Sequence, residues 1–330
     1  MAHGGGDPVK VIKAALYANF AIAVIKFIAA YLSSSTATLA EAVHSVADTG
    51  NQALLLIGLR LATKQDETRF AFGRAAERYF WPFIVALLLF SVGGAFALYE
   101  GIHKVAHPTP PDMSDFWSLR HGPLASLIVL AVSVVFESIS CTVALREFRA
   151  EAKGKKLRHA LLEGKDPTIP LVLMEDIAAL TGLAMAFVAV ALAAVTGSGI
   201  WDGAGSILIG ILLMGVATII AVDAHSLIIG ERATPEMERL AQTTAENTPG
   251  VRGVTQMLTL HLGPDFIVLA FKIAFEPGSS LEQVERVTDE IERRVREKLP
   301  SMKKIFVEPD SDGDLRGVAR TELAEKAAAG

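Results

Sequence analysis

Long apolar runs separated by charged loops fill the first two thirds of this chain, and short alternating segments fill the last third. Six runs reach membrane-spanning length, approximately Val11–Leu32, Thr38–Ala62, Tyr79–His103, Pro123–Leu145, Ile169–Thr196 and Trp201–Ile229. A helix needs about 20 apolar residues to cross the hydrocarbon, so several of these are long enough to tilt or project from it. After Ile229 the period changes. Thr234-Pro235 opens a polar helix, Val254–Leu262 and Phe266–Phe275 alternate as strands, Ser280–Leu299 is an amphipathic helix, and Ile305–Val307 reads as a last strand. The order α-β-β-α-β predicts a small α+β domain. Residues 1–230 are therefore expected to be an all-α, six-helix transmembrane domain. Residues 231–310 are expected to be a soluble domain whose modest core is helped by dimerisation, and 311–330 a disordered, Ala-rich tail.

Composition agrees, since 51% of the residues are hydrophobic and mean hydropathy is +0.40, as expected of a chain embedded in a lipid bilayer. Asn19 and Lys26 interrupt the first run and no cleavage pattern flanks it, so it is not a signal peptide. Bases crowd two connections: Lys64, Arg69, Arg74 and Arg78 between the second and third runs, and Arg149 to Lys165 between the fourth and fifth. The positive-inside rule makes these cytoplasmic, with both termini on the same side, as in an integral protein of a bacterial inner (plasma) membrane. The net charge is −5, and most of the acidic excess lies from Glu231 onward, which argues against nucleic acid as a partner. The single cysteine, Cys141, lies in an apolar run and builds no disulfide framework. The chain has no phosphate-binding loop, no G-x-S-x-G and no HExxH, so nothing points to an enzyme.

Within the second run, His44 and Asp48 stand one helical turn apart, on one face. Ionisable groups at the centre of a spanning helix are penalised by roughly 2.5–3.5 kcal/mol each, so they normally face the protein interior and act there. An imidazole and a carboxylate at i and i+4 form half of a tetrahedral metal site, although the same spacing also suits a buried His–Asp hydrogen bond that fixes packing. Asn51 continues the same face and is a candidate to orient the ion's ligands or line its path, or else to bond a neighbouring helix. Glu137 in the fourth run is an expensive acid with the same two readings, and Asn19 reads as a helix-to-helix hydrogen bonder.

The run Leu39-Ala40-Glu41-Ala42-Val43-His44-Ser45-Val46-Ala47-Asp48 resembles the cation diffusion facilitators, as do Phe70-Ala71-Phe72-Gly73-Arg74, Trp201-Asp202-Gly203-Ala204-Gly205-Ser206 and Pro249-Gly250-Val251. The resemblance implies a homodimeric exporter of divalent metal, usually zinc, driven by proton exchange, with a ferredoxin-like cytoplasmic domain. It also makes His44 and Asp48 the second-helix ligands and Asp176 a fifth-helix ligand. Where the family commonly has histidine four residues before that acid, this chain has Val172, and Glu175 stands beside Asp176 instead, as in the branch that includes mitochondrial-type zinc transporters. Adjacent helical residues point about 100° apart, so Glu175 either bends back to the same ion or stands outside its coordination sphere, as an interface acid or a proton acceptor. One imidazole with two or three carboxylates and no thiolate suits Zn2+ and tolerates Mn2+, Fe2+, Co2+ or Ni2+. The alternatives are an exporter of one of those metals with the same fold, a membrane metal sensor that does not transport, and a channel uncoupled from protons. Arg252, Lys272 and Val307 occupy positions that bind metal in some relatives' soluble domains, so that domain is expected to dimerise without metal. His261, its only histidine, is expected at the surface. The resemblance also points to a charged interlock between the domains, here Glu231 with Arg74 or Arg78, which otherwise read as a solvated acid and plain membrane anchors.

Overall fold

The computed structural model describes residues 8–33, 36–64, 68–108, 123–152 and 164–310, with the side chains of 29–33, 36–44, 47 and 123–127 outside the description. The expected tail 311–330 and the side chain of His44 therefore lie outside the described residues. The chain divides into two compact units, one built from the long helices and one from the C-terminal elements together with the stretch around Ala75.

The helical unit contains α1 (Pro8–Ser33), α2 (Thr36–Ala62), a rod made of α3 (Glu77–Leu88), a π-helical segment (Leu89–Ala95) and α4 (Phe96–Ala106), then α5 (Pro123–Ala152), α6 (Thr168–Thr196) and α7 (Ile200–Ile229). Among the described residues five helices are long and apolar enough to cross a membrane. The helix α2, which carries Glu41, His44, Asp48, Asn51 and Gln52, is not one of them. Val11, Leu55, Val85, Ala144, Val172 and Ile220, each from a different rod, share one buried cluster. The outward positions invert the soluble rule: Phe20, Phe96, Ile139, Val188 and Ile211 are exposed, as an embedded surface requires. Gly197 ends α6 in the left-handed region (φ 68°), which only glycine adopts without strain, and the chain reverses at once into α7.

The third rod and α7 approach through glycines. Gly94 and Gly101 on the rod face Gly210 and Gly203 on α7, with a built Cβ on Gly210 falling 2.7 Å from the Leu98 backbone nitrogen and one on Gly101 falling 2.8 Å from the Gly203 carbonyl. Close backbone approach of this kind is how helices associate where lipid offers no hydrophobic drive.

In the second unit, α8 (Pro235–Glu246), β1 (Val251–Gly263), β2 (Phe266–Phe275), α9 (Leu281–Lys298) and β3 (Met302–Asp310) follow the α-β-β-α-β order. The sheet is mixed: β2 is central, antiparallel to β1 and parallel to β3. Ile267, Leu269, Phe271 and Ile273 alternate inward from β2 and meet Ile291 and Val295 of α9. Thr234 caps α8 ahead of Pro235, and Ser280 with Gln283 forms a capping box on α9, so both helix starts follow from local sequence. The last strand is longer than its apolar triplet predicts, because its outer residues pair through the backbone with β2 whatever side chains they carry.

His261 is buried, 2% exposed, contrary to the surface placement expected of it. Its backbone N–H donates to the Glu231 carbonyl at 2.9 Å, and the adjacent end of β1 is covered by the stretch around Ala75, whose Cβ lies 2.7 Å from a Cβ built on Gly263.

On α9, hydrogen bonds from Arg293 and Arg294 hold the Glu290 carboxyl at about 2. A carboxylate with a depressed pKa contributes stability above its unfolded pKa and loses it as pH falls towards the folded value. The group is half-exposed at the surface, so the effect is small. Acidification from about pH 5 to about pH 2 should lower the melting point of the C-terminal domain, and Glu290→Gln should remove part of that dependence; identical pH profiles for the two proteins would contradict it.

Candidate metal site

The polar side chains buried in the helical unit concentrate on α2, α5 and α6, and Asn19 and Lys26 of α1 are buried as well, 5% and 7% exposed. On α2, Asn51 and Gln52 are 5% and 0% exposed; on α6, Glu175 and Asp176 are 7% and 2% exposed. On α5, Ser133, Glu137 and Ser140 are buried at spacings of four and three, a single face. Direct bonds join these helices. Asn51 Nδ2 donates to Glu175 Oε1 at 3.2 Å, and Gln52 Nε2 donates to Glu175 Oε2 at 2.9 Å. Ser140 Oγ donates to Asp176 Oδ2 at 2.8 Å. The two adjacent acids thus divide between neighbours, Glu175 towards α2 and Asp176 towards α5, as their divergence of about 100° around α6 dictates.

Asp48 is partly exposed and lines a cavity of about 410 Å³ with Asn51, Leu54, Leu89, Val92 and Gly93. The facing wall is the π-helical segment, where a wider backbone turn makes room; such segments recur at functional sites. Asp48 lies one turn before Gln52, so α2 presents the cavity acid and the amides that hold Glu175 along one stripe. Among the described residues no three His, Cys, Asp or Glu side chains converge tightly enough to enclose an ion, and the His44 side chain lies outside that description. His44 itself falls within α2, one turn before Asp48.

Two residues at this centre escape the sequence reading, Gln52 and Ser140. Both carry a legible signal. Gln52 continues the His44, Asp48 series by another four residues, and Ser140 completes the Ser133, Glu137 face. Glu137 is buried, 8% exposed, on the same helix as the Asp176 partner.

The charged residues of the expected interlock are held as follows. Arg78 forms an ion pair with Asp166, whose other oxygen accepts from the Thr168 N–H at 3.1 Å and so caps the start of α6. Arg74 and Arg69 lie over the Phe70 ring, 5.0 and 5.5 Å from its centroid, and Gly73 closes a turn back to the Phe70 carbonyl at φ 72°. The Glu231 carbonyl is bonded to His261.

Comparison with known proteins places the chain in a family. Residues 12–229 match the cation efflux transmembrane domain, and residues 234–312 match the cation efflux protein cytoplasmic domain. The chain is 30% identical over 258 residues to the mitochondrial proton-coupled zinc antiporter SLC30A9 of Homo sapiens, across 78% of this chain and 44% of that protein. It is 33% identical over 222 residues to metal tolerance protein C4 of Arabidopsis thaliana, across 66% of this chain and 47% of that protein. A match to magnetosome protein MamB of Paramagnetospirillum magneticum is 23% identical and covers 91% of this chain and 94% of that one. The chain thus spans less than half the length of the first two relatives. With family domains matched along both of its units, the chain belongs to the cation efflux, or cation diffusion facilitator, family.

Proposed function

We propose that the chain exports a divalent metal ion, zinc first, by metal/proton antiport, with six helices crossing the membrane and a ferredoxin-like C-terminal domain in the cytoplasm. The observation that carries this reading is the buried acid pair Glu175–Asp176, bonded to polar side chains of α2 and α5, of which Asn51 lines the same cavity as Asp48. Intramembrane acids held on a bundle interior mark ion pathways. His44, Asp48 and Asp176 are the proposed ligands, with Glu175 the fourth, in the manner of the Glu-Asp branch to which the zinc antiporter resemblance points. These groups bind metal only when deprotonated, so each ion that binds displaces protons and each proton that returns helps to release the ion. Rocking of α2 and α6 would turn the site from one side of the membrane to the other. Both termini are cytoplasmic in this arrangement, on the basic loops, and the proposed membrane is the bacterial inner membrane.

Purified protein in liposomes with an imposed pH gradient tests it: zinc uptake should follow the gradient and collapse when the gradient is dissipated. Uptake indifferent to the gradient would favour a channel, and binding without uptake would favour a sensor. Replacing the softer nitrogen by oxygen, His44→Asp should lower the Zn/Mn transport ratio, and an unchanged ratio would exclude His44 as a ligand.

The protein is proposed to act as a homodimer. The face of the C-terminal sheet opposite its core carries an apolar row, Leu258, Ala270 and Phe306, in register across the three strands, and Leu258 and Phe306 are exposed. A second copy covering that row would explain its apolar character. The isolated 231–310 fragment should dimerise equally with zinc or chelator, and Leu258→Asp with Phe306→Asp should make it monomeric. A dimer that requires zinc would reveal a metal site in this domain.

A charged interlock of Glu231 with Arg74 or Arg78 remains part of the proposal. Since Arg78 also serves Asp166, Arg74 is the arginine to test first. Glu231→Arg should slow flux and Arg74→Glu in the same chain should restore part of it; additive losses would leave the interlock without support.

A further inference from the structure

The end of α4 carries a feature that the transport site does not use. Tyr99, His103 and His107 repeat at four-residue spacing and form one stripe, with both imidazoles exposed. The His103 and His107 ring centroids are 4.9 Å apart and the planes are inclined by 32°.

That separation has a chemical meaning. A nitrogen bound to a transition metal at about 2.0–2.1 Å places its ring centroid about 3.2 Å from the ion. Two centroids 4.9 Å apart then subtend about 100° at a shared ion, between the right angle of tetragonal copper and nickel sites and the tetrahedral angle of zinc. The backbone holds the spacing, because the His107 N–H donates to the His103 carbonyl at 2.9 Å and so continues the last turn of α4. The end of a helix where carbonyls are left unpaired also carries partial negative charge, which favours a cation. Lys104, next to His103 in sequence, does not oppose this, since its ammonium is 3.1 Å from Asp202 and 3.9 Å from Glu100.

We propose that His103 and His107 form a second, surface metal site, a two-imidazole chelate for a borderline transition cation such as Ni2+, Cu2+ or Zn2+, with water filling the remaining positions. Imidazole nitrogen selects these ions over Mg2+ and Ca2+, which prefer oxygen. The site is built from α4 and its C-cap residue His107 alone, and stands whether or not the chain transports metal.

The test is metal binding to the full chain in lipid nanodiscs, with Ni2+ and Cu2+ as probes. The wild type should bind one equivalent more than His103→Ala/His107→Ala, and excess Mg2+ should not displace it. Each single substitution turns the chelate into a one-nitrogen contact and should weaken that equivalent about tenfold or more. Both side chains are exposed, so the variants should fold; His103→Gln and His107→Gln, which keep polarity, should lose the ion equally. The paramagnetic resonance spectrum of the added Cu2+ should show coupling to two nitrogens in the wild type alone. Equal stoichiometry in wild type and double variant, or a copper spectrum unchanged by the substitutions, would overturn the site and leave the stripe as a membrane-interface anchor.

Discussion

Asp176→Ala and Asp48→Ala should each abolish zinc flux while leaving an assembled, folded protein. Each change removes one oxygen from a set of about four ligands, and the loss of a direct ligand should exceed the 10–100-fold cost typical of groups that merely orient one. Folding should survive at Asp176 for a specific reason. Its partner Ser140 need not be stranded, because a helical hydroxyl can turn to the carbonyl four residues back, as Thr142 does to Ser138 at 2.7 Å on the same helix. Ser140→Ala and Gln52→Leu, by contrast, leave every proposed ligand in place and disturb only its orientation. They should weaken zinc affinity by about 10–100-fold without abolishing transport. Near-wild-type flux in Asp176→Ala would remove the proposed centre altogether.

Gly210→Leu should have the largest effect on stability. A built Cβ at this position already lies 2.7 Å from the Leu98 nitrogen and 2.9 Å from the Gly94 carbonyl, and backbone atoms cannot rotate aside as a side-chain tip can. Even alanine must push α7 off the third rod, and overpacking of this kind costs about 1–3 kcal/mol for each modest addition. Leucine should prevent recovery of monodisperse protein. The control lies on the same helix: Gly215 has nothing within 4 Å of a built Cβ, so Gly215→Ala should be neutral or stabilise α7 by up to about 1 kcal/mol through helix propensity. Thermal melting in detergent separates the two, and equal melting points for Gly210→Ala and Gly215→Ala would contradict the close approach.

The helices, the order of the C-terminal elements and the caps at Thr234 and Ser280 were legible because each is written in local sequence, as hydropathy, period or a capping residue. The acids of α6 were legible through the resemblance to the cation diffusion facilitators, which sets a ligand at Asp176 with Glu175 beside it. Three features were not. The third rod reads as one continuous span, yet it holds the π-helical segment Leu89–Ala95, where Gly94 closes on Gly210 and Met214 of α7; that contact belongs to the packing and has no local signature beyond a pair of glycines. His261 reads as a surface residue at a strand end, and it is buried where Ala75 closes on the end of β1, a pairing between segments far apart in sequence. Gln52 carries no charge to mark it, although its position one turn after Asp48 places it on the same face.

One ion is proposed to be held by His44, Asp48 and Asp176, with Glu175 as the fourth donor. X-ray absorption at the zinc edge, on protein loaded with a single equivalent under conditions where the His103 and His107 pair has been replaced by alanine, reads that shell directly. The spectrum should show nitrogen and oxygen at about 2.0–2.1 Å with the scattering of one imidazole, and it should change in Asp176→Ala. A sulfur shell near 2.3 Å, for which Cys141 beside Ser140 is the single cysteine source, or a spectrum identical in wild type and Asp176→Ala, would contradict it.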